Sequence, residues 1–249
     1  MSRPAPSHIA TRTQLTMELR LTSRRGENLL AIVVIPAAVL VFFASTSLLA
    51  VPDGRPVDFL LPGSLALAVI AAGLVNLGIA TAYERSYGVL KRLGGSPLGR
   101  GGIVAAKTGA VGIIVALQVV LLVAVAVIAL DWRPSPDASL PLLLGVLVIG
   151  TVTFAGLGLL LAGTLRAEAT LALANGLFVA AMLLGGIIVP TSGLPAPLTA
   201  LADLLPAAAL STALRVAMGG SGDLVAAVVV LAAWGIAAVL LALRTFRWD

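Results

Sequence analysis

Apolar residues in this chain come in long runs rather than in the short periodic stretches of a soluble helix. Six runs stand out: Leu29–Ala50, Phe59–Ala82, Ile103–Leu130, Leu140–Thr164, Thr170–Val189 and Leu224–Leu243. About 20 apolar residues cross a bilayer as an α-helix. At about 1.5 Å per residue the first run reaches about 33 Å, enough for a tilted crossing. The pattern predicts an all-α membrane protein with six transmembrane helices. Between the last two runs, residues 190–222 break into short apolar pieces interrupted by Pro195, Pro197 and Pro206. Pieces of that length do not span. They predict two re-entrant helices dipping into the outer leaflet, with Asp203 and Arg215 near water; a simple amphipathic loop is the alternative.

The chain divides at the first run. Residues 1–28 form a Pro/Ser-rich tail, read as disordered, followed by a segment in which Leu15 and Leu19 flank Arg20, Arg24 and Arg25. That arrangement suits a helix lying along the inner leaflet, although an ordinary basic flank explains the charges equally well. Residues 29–249 form one six-span domain. A signal peptide does not fit, because the first run is too long and starts too late.

Composition supports the membrane class. The 249 residues are 59% hydrophobic and 11% charged, with mean hydropathy +1.10, against about 25% charge in soluble domains. There is no cysteine, which excludes disulfides and thiol chemistry. The sequence pI of about 10.7 would suit a nucleic-acid partner, but the positions of the charges give another reason for it. With six spans, thirteen of the sixteen Lys and Arg residues fall on one side, and only Arg55, Arg133 and Arg215 on the other. Cytoplasmic loops retain Lys and Arg, so both termini are expected in the cytoplasm.

One polar element interrupts the apolar runs, "YERSYGVLKRLGGSPLGR" at 83–100. If Tyr83–Leu93 is a single helix, Glu84, Arg85, Gly88, Lys91 and Arg92 share an arc of about 120°, with Tyr83, Tyr87, Val89, Leu90 and Leu93 on the rest. Gly94–Gly95 would stop this helix, and Ser96–Pro97 would cap the next one. A short helix with a glycine in its charged face suits docking into a groove of a cytoplasmic partner. A basic interfacial loop that merely sets topology is the plainer reading.

Catalytic chemistry is hard to find. "GGIVAAKT" at 101–108 misses the phosphate-loop pattern at Ala106 and lacks a preceding strand, so Lys107 is read as snorkelling to the inner interface. The single His8 falls in the tail, and no acidic residue lies within a predicted span. The latter argues against ion-coupled transport. Within the spans, Asn76 (in the stripe Ala68–Ala72–Asn76–Ala80), Gln118 and Asn175 either pack helices together or line a substrate path.

The segment "ERSYGVLKRLGGSPL" resembles the signature after the second span of permease subunits in the ABC-2 family (type V) of ABC exporters, the drug and polyketide efflux type. Glu84, Arg85, Gly88, Val89, Leu90, Lys91, Leu93, Ser96, Pro97 and Leu98 match, and Ser86 departs. The resemblance implies that 83–98 is a coupling helix seated in a separate ATPase subunit. Glu84, Arg85, Lys91 and Arg92 would supply its polar contacts, with Tyr83, Tyr87, Gly88, Val89, Leu90 and Leu93 packing and Pro97 directing the exit. It further implies a second permease copy or close relative, a multi-pass protein of a cell membrane, and an extracellular gate at Pro195, Pro197, Asp203 and Pro206; the Ala/Val/Leu/Gly-rich, Arg-over-Lys composition suggests a bacterial source. No cofactor is expected on this chain, with ATP and Mg held by the ATPase. The cargo would be an amphiphile such as a drug, natural product or lipid. The rival reading is an ATP-independent carrier or membrane scaffold.

Overall fold

The computed structural model describes residues 6–24, 26–46, 55–94, 98–188, 190 and 195–245. Among them every regular element is helical: α1 Ser7–Arg24, α2 Gly26–Ser45, α3 Pro56–Ile70, a π-helical turn Ala71–Asn76, α4 Leu77–Ser86, α5 Val89–Gly94, α6 Arg100–Leu130, α7 Leu140–Thr164, α8 Ala167–Leu184, α9 Ala196–Asp203, α10 Pro206–Ala217 and α11 Leu224–Thr245. Five described helices are long and apolar enough to cross a membrane: the continuous Pro56–Ser86, then α6, α7, α8 and α11. The bent pair α9–α10 would make a sixth if counted as one span. The first predicted run corresponds to α2, whose residues Val34–Ser45 are a shorter apolar helix; positions 47–50 of that run lie outside the described residues. The protein is an all-α, multi-pass membrane protein.

Burial sorts the helices into layers. In Pro56–Ser86, 72% of the most apolar window is buried, against 22% in α6, α8 and α11, so the second span is the centre and the others present wide faces outward. The second span packs on α7 through small residues. A Cβ on Gly158 would collide with the carbonyl oxygen of Gly73, and one on Gly73 would stand 2.8 Å from the Ala155 nitrogen. Without a hydrophobic drive between helices in lipid, this close approach of backbones is what stabilises the pair. The crossing falls on the π turn. There the Leu77 N–H bonds to the Ala72 carbonyl, five residues back. The extra residue in the turn also removes the simple four-residue spacing expected for Ala68, Ala72, Asn76 and Ala80.

At the end of the bundle opposite α1, chain breaks are tied down by hydrogen bonds. Arg55 donates to the carbonyls of Leu130 (2.5 Å) and Asp131 (2.8 Å), and the Ser139 N–H donates to the Ala217 carbonyl at 2.9 Å. The fifth predicted run stops short: α8 ends at Leu184 instead of Val189. Gly185–Gly186 turns the chain, with Gly186 at φ 62°. The freed carbonyls are taken by the Ser211 hydroxyl (2.5 Å to Gly185) and the Arg215 guanidinium (2.8 Å to Gly186). Arg215 is therefore not the water-facing residue the sequence suggested. It lies partly buried, with its Cζ 4.3 Å from the centroid of the Phe59 ring. Helices α9 and α10 do form, bent by 75°. Pro195 precedes α9, Pro197 sits in its first turn and Pro206 opens α10, positions where a missing N–H costs nothing.

Gly158→Val should shift the thermal unfolding midpoint of the detergent-purified protein downward, by the equivalent of about 1–3 kcal/mol. Gly176→Ala, where nothing lies within 4 Å, should leave it in place.

Candidate functional site

The polar element is not one helix. Tyr87 caps α4 with φ −86°, ψ 5°, and Gly88 adopts φ 71°, a left-handed conformation that glycine takes without strain. The chain restarts as α5, with the Arg92 N–H reaching back to the Gly88 carbonyl at 3.3 Å. The break cancels the single charged arc expected for Tyr83–Leu93 and divides the charges between two destinations. Ser96 and Pro97 lie outside the described residues, and the next helix begins at Arg100 with Gly99 in the N-cap position.

Glu84 and Arg85 turn inward. The Glu84 carboxylate lies 2.7 Å from the ammonium of Lys107 on α6, and Glu18 of α1 stands 2.8 Å from the same nitrogen. Lys107 has 1% of its side chain exposed, the two carboxylates 12% and 14%. It is therefore clamped between acids, and the snorkelling expected from its place at the head of a span does not occur. A lone buried ammonium is costly, by several kcal/mol even after relaxation, and two carboxylates in contact offset that cost. Gln14 donates to Glu18 at 2.7 Å and fixes its orientation. A cavity of about 40 Å³, bounded by Asn76, Ala80, Glu84 and Lys107 and by apolar residues such as Leu77 and Ile114, lies alongside. Arg85 donates to the Leu165 carbonyl in the turn between α7 and α8.

The remainder of the element faces out. Tyr87 is 75% exposed, and Val89, Lys91 and Arg92 are exposed as well. Leu90 is the anchor, buried with Leu98 and Ile103 and flanked by Ala10 and Leu93. Tyr83 packs against Ala82, Ala162 and Ala167. Between the element and the α7–α8 turn runs a groove of about 440 Å³, bounded by Arg85, Gly88, Lys91, Arg166 and Glu168. A basic groove beside an exposed Tyr–Val pair has the makings of a protein-docking surface, with charge for orientation and apolar area for contact.

One family profile, described as ABC-2 type transporter, matches residues 11–218. The chain belongs to the ABC-2 transporter family. It is a transporter permease component and not itself catalytic. No curated protein matches the chain. The match runs from within α1 to the end of α10, so the clamp, the groove and the bent α9–α10 pair of this ABC-2 protein all lie inside the shared region.

Other residues singled out from the sequence are scattered. Asn76 sits in the π turn, and Gln118 is buried in α6. Asn175 is exposed and donates to the Leu171 carbonyl of its own helix at 2.9 Å. The three do not form one site. His8, assigned to a disordered tail, stands in the first turn of α1. Sequence reasoning missed Glu18 as the partner of Lys107, since nothing in their spacing links them. It also missed Arg166 and Glu168, which join the groove only because α7 and α8 turn back beside α4.

Replacing Lys107 with Met leaves two part-buried carboxylates facing each other. The variant should lose about 3–5 kcal/mol of stability, read as a lowered denaturation midpoint. Thr164→Ala, at an exposed position near the same end of the bundle, should show no such loss.

Proposed function

We propose that this chain is the membrane subunit of an ATP-driven exporter and receives force from a separate ATPase subunit through α5 and the groove beside it. Family membership supports a permease. The observation that carries the coupling role is the division of the polar element into an anchored half and an exposed half. Glu84 is fixed to Lys107 of α6 and through it to Glu18 of α1, Arg85 to the α7–α8 turn, and Leu90 to the α6 entry. Tyr87, Val89, Lys91 and Arg92 stay free for a partner. A push on the exposed half would then reach α1, the second span and α6 together.

In this reading both termini and the groove face the cytoplasm of a bacterial cell, as the Lys/Arg distribution suggests. ATP and Mg belong to the ATPase. Two permease copies, or this chain and a close relative, enclose the path, and closure of the ATPase pair tilts the second span so that the path opens outward. The bent α9–α10 pair, with Pro195, Pro197, Asp203 and Pro206, acts as the outer gate. The mostly apolar spans favour an amphiphilic cargo.

Glu84 and Arg85, named as partner contacts on the resemblance, here serve as anchors, and charge reversal at either would disturb the fold itself. Lys91 and Arg92 give the cleaner test. Purified in mild detergent from its own host, the tagged chain should bring down an ATP-hydrolysing subunit. The double variant Lys91→Glu, Arg92→Glu should lose that subunit by about tenfold or more with an unchanged denaturation midpoint. Purification of the native chain alone, still able to move cargo, would support a carrier instead.

A further inference from the structure

The tip of the α9–α10 hairpin lies deep in the membrane, and two independent paths fix its depth. Helix α10 runs from Pro206 to Ala217, so Pro206 lies up to about 17 Å below Ala217, whose carbonyl is bonded at the outer end of α7. From the other side, Trp234 follows Leu224, the first residue of α11, by about 15 Å of helix, and its indole N–H donates to the Leu204 carbonyl at 3.0 Å. The hydrocarbon core is about 30 Å thick. Leu204 therefore sits near its middle.

Asp203 is the adjacent residue, within about 3.8 Å along the chain. It is exposed, it has no partner among the described residues, and it is the only charged residue between Glu168 and Arg215. Its side chain is far too short to snorkel to an interface. Ionisable groups at this depth face a bundle interior or a water-filled cavity. The face of α9 that carries Asp203 therefore borders water and not lipid. Two residues further along the chain, at Leu205, begins the wall of an apolar cavity of about 210 Å³, bounded also by Ala207, Ala181, Leu177, Phe154 and Trp234. A dry cavity of about 150 Å³ already admits a benzene ring. A carboxylate in water beside an apolar hollow is the complement of an organic cation with an aromatic or alkyl body.

We propose that the hairpin tip binds lipophilic organic cations, with the apolar body in the cavity behind Leu205 and the charge against Asp203. The proposal rests on the permease reading for its water-filled path. Because the chain contains no cysteine, single thiols report on it directly. In the full chain in proteoliposomes, Asp203→Cys should react with an impermeant trimethylammonium methanethiosulfonate added outside, as Ser221→Cys in the exposed outer turn does. Ile236→Cys on the lipid-exposed face of α11 should not react. With Asp203 intact, tetraphenylphosphonium should slow the same reaction at Ala200→Cys, one turn back on the face of α9 that carries Asp203, whereas tetraphenylborate, of similar size and opposite charge, should not. Asp203→Asn should weaken tetraphenylphosphonium binding by about tenfold. An unreactive Asp203→Cys beside a reactive Ser221→Cys, or equal binding by the Asn variant, would overturn the site. Neither result touches ATPase copurification, on which the permease reading stands or falls separately.

Discussion

The ammonium of Lys107 is the point on which the basic end of the bundle is organised. It stands at the head of an apolar helix, is almost wholly enclosed, and is acceptable there only because Glu18 and Glu84 reach it from two other helices. A buried charge held by two partners is far less forgiving than a hydrophobic contact, since withdrawing either carboxylate leaves the cluster under-compensated. The clamp therefore fixes where α1 lies, where α4 ends and how α6 enters, all with one nitrogen. The outward half of the polar element is displayed as it is because the inward half has been committed to Lys107 and to the Leu165 carbonyl.

Stiffness at this end contrasts with the middle of the second span. There the π turn sits against Gly158, with backbone touching backbone and little side-chain volume between. π turns recur at functional positions in helices, and this one lies between the clamp and the outer half of the bundle. A rigid end below a locally irregular helix is the arrangement through which the proposed push at α5 would tilt the span above. Beyond it the chain breaks again at Gly185–Gly186 and at Leu204–Leu205. Each break is closed by a side chain from another helix, as hydrocarbon requires. These bonds from Ser211, Arg215 and Trp234 make the hairpin a defined part of the membrane domain.

Much of this was legible in the sequence. Long apolar runs marked the spanning helices because nothing else builds such runs, and the closely spaced prolines at 195, 197 and 206 marked the bent pair because they leave no apolar piece long enough to span. The polar element was legible as a place and a family signature, but its internal geometry was not. Helical periodicity alone could not say that Gly88 would take a positive φ and send Glu84 and Lys91 in different directions. Lys107 and Arg215 were both assigned to water by the usual behaviour of long basic side chains. Each is instead held by groups remote in sequence, carboxylates for Lys107 and a glycine carbonyl with the Phe59 ring for Arg215. Pairings of that kind follow from how helices cross, which a single sequence does not encode locally.

The central claim is that α1, α4 and α6 move as one body because Lys107 clamps them. Pulsed electron paramagnetic resonance tests it directly, with spin labels at Met17→Cys on α1 and Ser86→Cys on α4 in the permease reconstituted with the ATPase subunit proposed for it. The account predicts one unchanged distance distribution with and without ATP, which broadens when Lys107 is also replaced by Met. A distance that changes with nucleotide while Lys107 is intact would contradict it.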